Sequence, residues 1–527
     1  MSRDVTSSLL TLPVELIYRI LDNLDDFTFL CSTRNVCQRL NYITDAYHRY
    51  QTLTTLDLSE YQIEDQGTQH LAHALTNDTI ISAINLTNNK IHDQGIAYLT
   101  AALKNNTTLT KLNLQCNSIE DQGAKRLADI LLNNTTLTTL DLSDNGIEDH
   151  GAQHLGNALA KNATIVMIGL QSNKIKELGA QNLAHGLAFN MTLTALDLCA
   201  NKIQDNGAKY LATALKTNAT LTILNLGSNQ IGTSGAQYLA IGLKQNKTLS
   251  ILDLSENGIA NQGAVYLADS LTNNNTLTTL NLSENAIGDQ GAQHLAHALT
   301  NNTTLAILNL ERNEITGLGA QHLGNALTSN TALTSLDLGN NEIGNRGAQH
   351  LGNAIINNTT LISLVLMLNE IGDEGAQSLA FALRNNRTLT TLNLCNNRIG
   401  DNGAQNLANA LINNTTLISL DLRLNQIRDH GAECFANALR SNRVRYSLLY
   451  STLCFSNSEL FTQTLVTLNL QNNEIREKGA AHLANALSDH TTVAAVYIRW
   501  NCFGEEVRER LMEVAKGNER LKLLAVP

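Results

Sequence analysis

The chain has 527 residues, more than a single hydrophobic core accommodates, so it must divide into domains or repeats. A net charge of −11, spread without blocks, and the lack of a basic patch with interleaved aromatics argue against nucleic-acid binding. Proline occurs only at Pro13 and Pro527, which excludes a proline-rich linker, and the eight cysteines form no C-x-x-C pair, which points to reduced thiols in a cytosolic or nuclear protein.

Taken in order, residues 1–10 are polar and predict a loose end, with no signal peptide and no membrane-spanning run anywhere in the chain. Residues 12–43 predict three short helices. Pro13 suits a first helical position and Glu15 the positive end of the helix dipole. Leu16, Ile20, Leu21 and Leu24 share one face, and Asp25-Asp26 ends that helix. Phe29, Leu30, Val36, Leu40 and Ile43 supply the next two. On pattern alone this is a helical cap shielding the first repeat of the chain.

The same residues resemble an F-box. The resemblance rests on Leu12-Pro13, Glu15-Leu16, Ile20-Leu21 with Leu24, and Val36-Cys37. It implies a three-helix module, residues 1–50, that docks through Leu12, Pro13, Glu15, Leu16, Ile20, Leu24, Val36 and Cys37 on the small adaptor subunit of a cullin–RING ubiquitin ligase. The sequence departs from that family where a tryptophan often follows Val-Cys; here Gln38, Arg39 and Leu40 follow. Residues 44–52 join the module to the next element without glycine or proline, which predicts a fixed angle between them.

From residue 51 onward one 28-residue unit recurs, with a glycine beat from Gly67 to Gly431, a displaced beat at Gly479 and a last unit around Asn501. A fixed period of that length signals a solenoid. In the unit Leu277–Thr304, Leu280 and Leu282 alternate with Asn281 and Ser283, the pattern of a half-buried strand. Asp289 stands two residues before Gly291, where a helix N-cap belongs, and 12 of the 15 glycine-bearing units hold Asp, Asn or Thr there. Ala292, Leu295, Ala296 and Leu299 form one apolar helix face. Asn301 and Asn302 then end the helix, a place where asparagine suits a left-handed conformation. Tyr61, which replaces the repeat asparagine in the first unit, reads as an edge residue shielded by the F-box-like module.

The repeat resembles the leucine-rich repeat of the ribonuclease-inhibitor class, over residues 51 to about 521. The resemblance implies an α/β solenoid, a horseshoe of about 16 units with parallel strands on the concave face and helices on the convex face. It also implies that Asn89, Asn117, Asn145 and their successors are buried, with their amides bonded to turn backbone in adjacent coils. Residues 491–527 read as a C-terminal cap.

Most concave positions in units two to eleven are Thr, Ser, Asn or Asp. The column Asp57, Asn85, Asn113, Asp141, Asp197, Asn225 and Asp253 reads as solvated strand residues, or as a mildly acidic surface for a basic partner. His70 with His73, and His294 with His297, are at helical spacing, but no further ligand converges on either pair, so no metal or other cofactor is expected. The many Asn-x-Thr sequons follow from the repeat consensus. No P-loop and no nucleophile–base–acid constellation stands out, so no enzymatic activity is expected. Residues 444–463 have none of the repeat's features and read as a protruding loop or a translated intron, of low order either way.

Concave positions become apolar, aromatic or arginine mainly towards the C-terminus: Val365, Met367 and Leu368; Arg423 and Leu424; Tyr497, Arg499 and Trp500. That is the composition of an interface hot spot. Combined with the F-box resemblance, it predicts a cytoplasmic or nuclear ligase substrate receptor that contacts the adaptor and cullin at one end and a protein substrate at the other. The alternative is a binding or inhibitory scaffold of the ribonuclease-inhibitor type. A GTPase activator, which uses the same repeat, ranks last because the chain ends KLLAVP without that family's acidic tail.

Overall fold

The computed structural model describes residues 12–33, 43–44, 46–76, 78–452, 465–488, 495–517 and 522–524. The chain divides into two compact units, Met1–Asp253 and Leu254–Pro527.

The first unit opens with helices α1 (Val14–Leu21), α2 (Asp26–Thr33) and α3 (His48–Thr52). Pro13 is the N-cap of α1 rather than its first residue. The inner stripe of α1 is Ile17 and Leu21, both buried, whereas Ile20, expected on that stripe, is 41% exposed. Asp25 caps α2, accepting from the Thr28 N–H at 2.8 Å and from its hydroxyl at 2.7 Å. Burial pushes the Asp25 carboxyl up, but those bonds outweigh it and hold the group below its usual range. The connection makes contacts with the helices before it. Tyr47 stacks on Tyr18 with ring centroids 5.0 Å apart, and Arg49 reaches the Leu24 carbonyl at 2.8 Å and Asp26 at 2.6 Å.

Thereafter each coil is a three-residue strand followed by a helix. In the coil of strand Thr279–Asn281 and helix Asp289–Asn301, residues Leu280, Leu282, Ile287, Ala292, Leu295 and Leu299 are all buried into one core. Strands pair in parallel and in register from Thr55–Asp57 to Ile251–Asp253 in the first unit. They do so again from Thr279–Asn281 to Lys522–Leu524 in the second. Ser419 pairs with Thr467, so the register steps over the inserted segment. The start of that segment is not structureless: the helix Asp429–Thr452 continues through it, while residues 453–463 lie outside the described residues.

Two asparagine ladders hold neighbouring coils together. The first is the one expected. Asn117 donates to the Leu86 carbonyl of the preceding coil at 3.0 Å and accepts from the Ile91 N–H at 2.9 Å. The second corrects the reading of Asn302. Its backbone is extended (φ −78°, ψ 127°), not left-handed. Its amide donates to Leu271 O at 2.8 Å, and its oxygen accepts from Leu305 N at 2.7 Å. A buried amide satisfied on both sides acts as a rivet between coils. In the first coil Asp78 takes that place, and its carboxylate accepts from the hydroxyl of fully buried Tyr50. An acceptor-only side chain fits there because α3 presents a donor.

The expected N-cap is also corrected. Gly288, not Asp289, is the N-cap of its helix, and the side chain that caps it comes from the preceding coil: Asn261 Oδ1 accepts from Gly288 N at 3.0 Å and from Gly291 N at 2.7 Å. Asp289 instead reaches forward one coil, where its Oδ1 accepts from Thr316 N and Gly319 N, each at 2.8 Å. Asp65, Asp121 and Asp373 do the same for the helices after them. The repeating glycine suits this crowding: a Cβ on Gly319 would lie 2.6 Å from that carboxylate oxygen and 2.7 Å from Ile315 Cγ2, and the isoleucine contact recurs at Gly207 and Gly347, where no aspartate reaches. Where the slot holds Glu177 or Gly317, the next coil lacks this cap. Gln204 and Gly344 then turn left-handed, at φ 56° and 58°, and donate to Asn229 O and Asn369 O instead.

Candidate functional site

The buried frame leaves the strand face free to vary. In the second unit Val365, Asn393, Asp421, Asn469 and Tyr497 sit side by side on five consecutive paired strands. The residues expected to bind a partner therefore share one face: Val365, Met367 and Leu368 on the first of these strands and its turn, Arg423 and Leu424 on the third, and Tyr497, Arg499 and Trp500 on the fifth. At a strand spacing of about 4.8 Å this row extends about 19 Å.

Leu368, Leu424 and Trp500 are 37%, 44% and 60% exposed. All three sit at the turn position that every coil places in the left-handed region, at φ 54° to 55°. Asn340, Asn396 and Asn472 fill the same position in neighbouring coils, as expected of a residue that tolerates that conformation. Three large apolar side chains held there, facing solvent, spend backbone energy without filling a core, which points to a role outside stability.

Met367 lies across Gly339, where an added Cβ would come within 2.9 Å of its Cγ. Beside it Asp337 accepts from Gly339 N at 2.8 Å. Burial pushes the Asp337 carboxyl up, the Gly339 bond opposes this, and Glu311 adds repulsion; the result is a pKa of about 6. Arg423 is not a free cation, because its guanidinium pairs with Asp421 of its own strand at 2.8 Å.

At the N-terminal module, Pro13, Val14 and Ile20 are exposed and Leu12 and Leu24 half-buried, an outward apolar surface. Glu15 and Leu16 lie in α1; Val36 and Cys37 lie outside the described residues. Tyr61 is 50% exposed, so the module does not shield it as expected.

The structure also corrects the reading of the middle coils as polar. Met167 and Ile223 are 42% and 39% exposed on the strand face, and Ile307 is 42% exposed in the second unit. They fall at one fixed distance before the glycine beat, a column signal that the Thr and Ser interspersed there concealed. His70, His73, His294 and His297 are exposed on the helices. Among the described residues no group of three or more His, Cys, Asp or Glu is placed to hold a metal, and no helix is long and apolar enough to cross a membrane.

The leucine-rich-repeat model matches residues 105–128, 133–156, 189–212, 217–240, 245–268, 273–296, 301–324, 329–352, 357–380, 385–408, 413–436 and 462–484, more than half of the chain. The chain belongs to the leucine-rich-repeat family. Among solved structures it is similar to an internalin (inlF) from Listeria monocytogenes, at 21% identity over 80% of this chain and 92% of the other, with a TM-score of 0.41. It is also similar to the protein of a TLR13–ssRNA13 complex, at 18% identity over 86% of this chain and 67% of the other, with a TM-score of 0.45. No curated protein sequence matches it. Within this leucine-rich-repeat protein, the riveted frame presents a strand face whose composition changes along the chain.

Proposed function

We propose that this leucine-rich-repeat protein is a non-enzymatic adaptor of the cytoplasm or nucleus. The strand face around Met367, Leu424 and Trp500 holds a protein substrate, and the N-terminal module docks on the adaptor subunit of a cullin–RING ubiquitin ligase. The observation that carries the substrate site is the set of exposed Leu368, Leu424 and Trp500 side chains on left-handed backbone. The ligase reading is supported by the F-box-like sequence together with exposed Pro13, Val14 and Ile20. A second reading is a ligase-independent scaffold whose module merely caps the first coil. It is favoured by the Tyr50–Asp78 bond, which ties α3 to the first coil, and by the Arg49 bond, which ties α3 to the helices before it.

Affinity purification with mass spectrometry separates the two. Adaptor and cullin should co-purify with the wild type, and Leu12→Ala/Pro13→Ala should lose them while its circular dichroism stays unchanged. No recovery with the wild type, or full recovery with the variant, leaves the scaffold reading. For the substrate site, Met367→Glu, Leu424→Glu and Trp500→Ala should each cost about 2 kcal/mol of partner binding with folding intact. Undiminished binding by all three would place the site elsewhere.

A further inference from the structure

We infer that the strand face of the first unit is a second docking surface, which takes a polypeptide segment bearing lysine or arginine alternating with aliphatic side chains. The surface is separate from the substrate site proposed above and does not depend on it.

Met167, Ala195, Ile223 and Ile251 lie in register on four consecutive strands. None of the four is buried, and the exposure of Met167 and Ile223 is 42% and 39%. The same column earlier in the unit holds Thr55, Ala83, Lys111 and Thr139. The aliphatic row is therefore confined to four coils. At about 4.8 Å per strand it spans about 14 Å, the reach of four or five extended residues.

Two residues further along these strands and the one before them runs a second row: Asp141, Gly169, Asp197, Asn225 and Asp253. Gly169 interrupts it for a spatial reason. A Cβ there would lie 2.5 Å from Asp141 Oδ1 and 3.0 Å from Ser143 Oγ, so the glycine leaves room for the Asp141 carboxylate to lean over the next strand. Asp197 is pushed above the usual carboxylate range by burial; the Cys199 N–H and Asn225 oppose this, and the charges of Asp141 and Asp253 add to it. Three carboxylates that repel one another are relieved by a cation.

Among the described residues, the other charged side chains on these strands and at the first left-handed position of their turns are the anions Asp57, Glu60 and Asp144 and the cation Lys111, on the strand before Asp141; the exposed Lys90, Lys174 and Lys202 stand beyond them, each one residue past a buried asparagine. An anionic occupant, whether nucleic acid or an acidic lipid surface, meets repulsion along the whole row. A purely apolar occupant takes water from the carboxylates and offers them no counter-charge, which is costly. A segment with both chemistries covers the aliphatic row and pairs the acidic one.

The test uses the full chain and a fluorescein-labelled peptide of about twelve residues alternating lysine and leucine. It should bind saturably, one per chain, and more weakly as salt rises. Peptides alternating lysine with serine, or glutamate with leucine, should bind about tenfold or more weakly. Met167→Ser/Ile223→Ser should weaken the lysine–leucine peptide about tenfold. Asp141→Asn/Asp197→Asn/Asp253→Asn should do so too and should remove most of the salt dependence. Asparagine already stands in that column at Asn225, so the triple variant should fold, and its melting curve verifies this. Leu424→Glu/Trp500→Ala should leave the peptide unaffected. Equal binding of the glutamate–leucine peptide, full binding by both first-unit variants, or loss of binding in the Leu424/Trp500 variant would each overturn the proposal.

Discussion

The strand faces of the two units concentrate their exposed apolar residues differently, although Ile307 of the second unit keeps the strand-start position used in the first. In the first unit Met167, Ile223 and Ile251 stand where the strands begin, on extended backbone, behind a row of carboxylates. In the second, Leu368, Leu424 and Trp500 stand just past where the strands end, on left-handed turns, and Arg423, next to Leu424, is already paired with Asp421. Behind both faces the leucines, the asparagine rivets and the forward-reaching aspartates are the same. The buried side varies little, at Asp78, Glu177 and Gly317 among others, because its amides and carboxylates serve a neighbouring coil. The face has no such duty, so two different surfaces can be built on one frame.

The strongest test of that division is to break the frame equally in both units. Asn201 donates to Leu170 O at 2.9 Å and accepts from Ile175 N at 3.0 Å; Asn397 donates to Leu366 O at 2.9 Å and accepts from Ile371 N at 3.0 Å. Asn201→Ala and Asn397→Ala each orphan buried backbone groups on both sides and should each cost about 3 kcal/mol or more in urea denaturation. A cost confined to one unit would mean that the frames differ.

Next in size are the forward caps. Asp205→Ala removes the acceptor for Gly232 N and Gly235 N and should cost about 1–2 kcal/mol. Glu177→Asp should do the reverse: it installs the missing cap, draws Gln204 out of the left-handed region and raises the melting temperature. An unchanged backbone chemical shift at Gln204 would show that the slot does not govern the turn.

How much of this is legible in the sequence depends on where each side chain's partner lies. The strand, the helix face and the first asparagine ladder follow from local periodicity, and the structure reproduces them at Leu280, Ala292 and Asn117. Capping rules count along the chain and so assign Asp289 to its own helix, whereas its partner Gly319 lies one coil ahead. Asn302 reads as a local helix stop for the same reason, although its main bond is to Leu271. A helical stripe through Leu16, Ile20, Leu21 and Leu24 turns Ile20 inward; packing buries Leu21 as that stripe expects, but takes Ile17 rather than Ile20. At the site, the C-terminal apolar residues stand out one by one, while Met167, Ala195, Ile223 and Ile251 become a row only once the register sets them side by side.

A smaller effect separates the two faces by their backbone. Leu424→Asn should raise stability by about 0.5–1 kcal/mol, because asparagine tolerates φ 55° better than leucine and leucine is not in a core there. The same change should weaken the second-unit partner. Ile223→Thr, on extended backbone, should change stability by less than about 0.5 kcal/mol. A gain at Ile223 to match that at Leu424 would remove the argument from strain.

The smallest effect is a pH dependence at Asp337. Its carboxyl titrates at about 6 in the folded chain, against an ordinary value of 3.8. The folded state therefore holds this proton more tightly than the unfolded state does. Below pH 3.8 both states are protonated and the residue contributes nothing to the pH dependence. Between 3.8 and about 6 the unfolded chain releases the proton first, so stability falls as pH rises; above about 6 the penalty is constant. Asparagine cannot ionise and keeps the acceptor for Gly339 N. Asp337→Asn should thus match the wild type most nearly at about pH 4 and exceed it most at about pH 7.5, by about 1 kcal/mol after allowance for solvent screening of a half-buried group. Melting curves of both proteins at the two pH values give the difference. Met367→Ser, by opening Asp337 to water, should shrink that difference. If it does not, burial beneath Met367 is not what raises the carboxyl, and repulsion from Glu311 is the remaining cause.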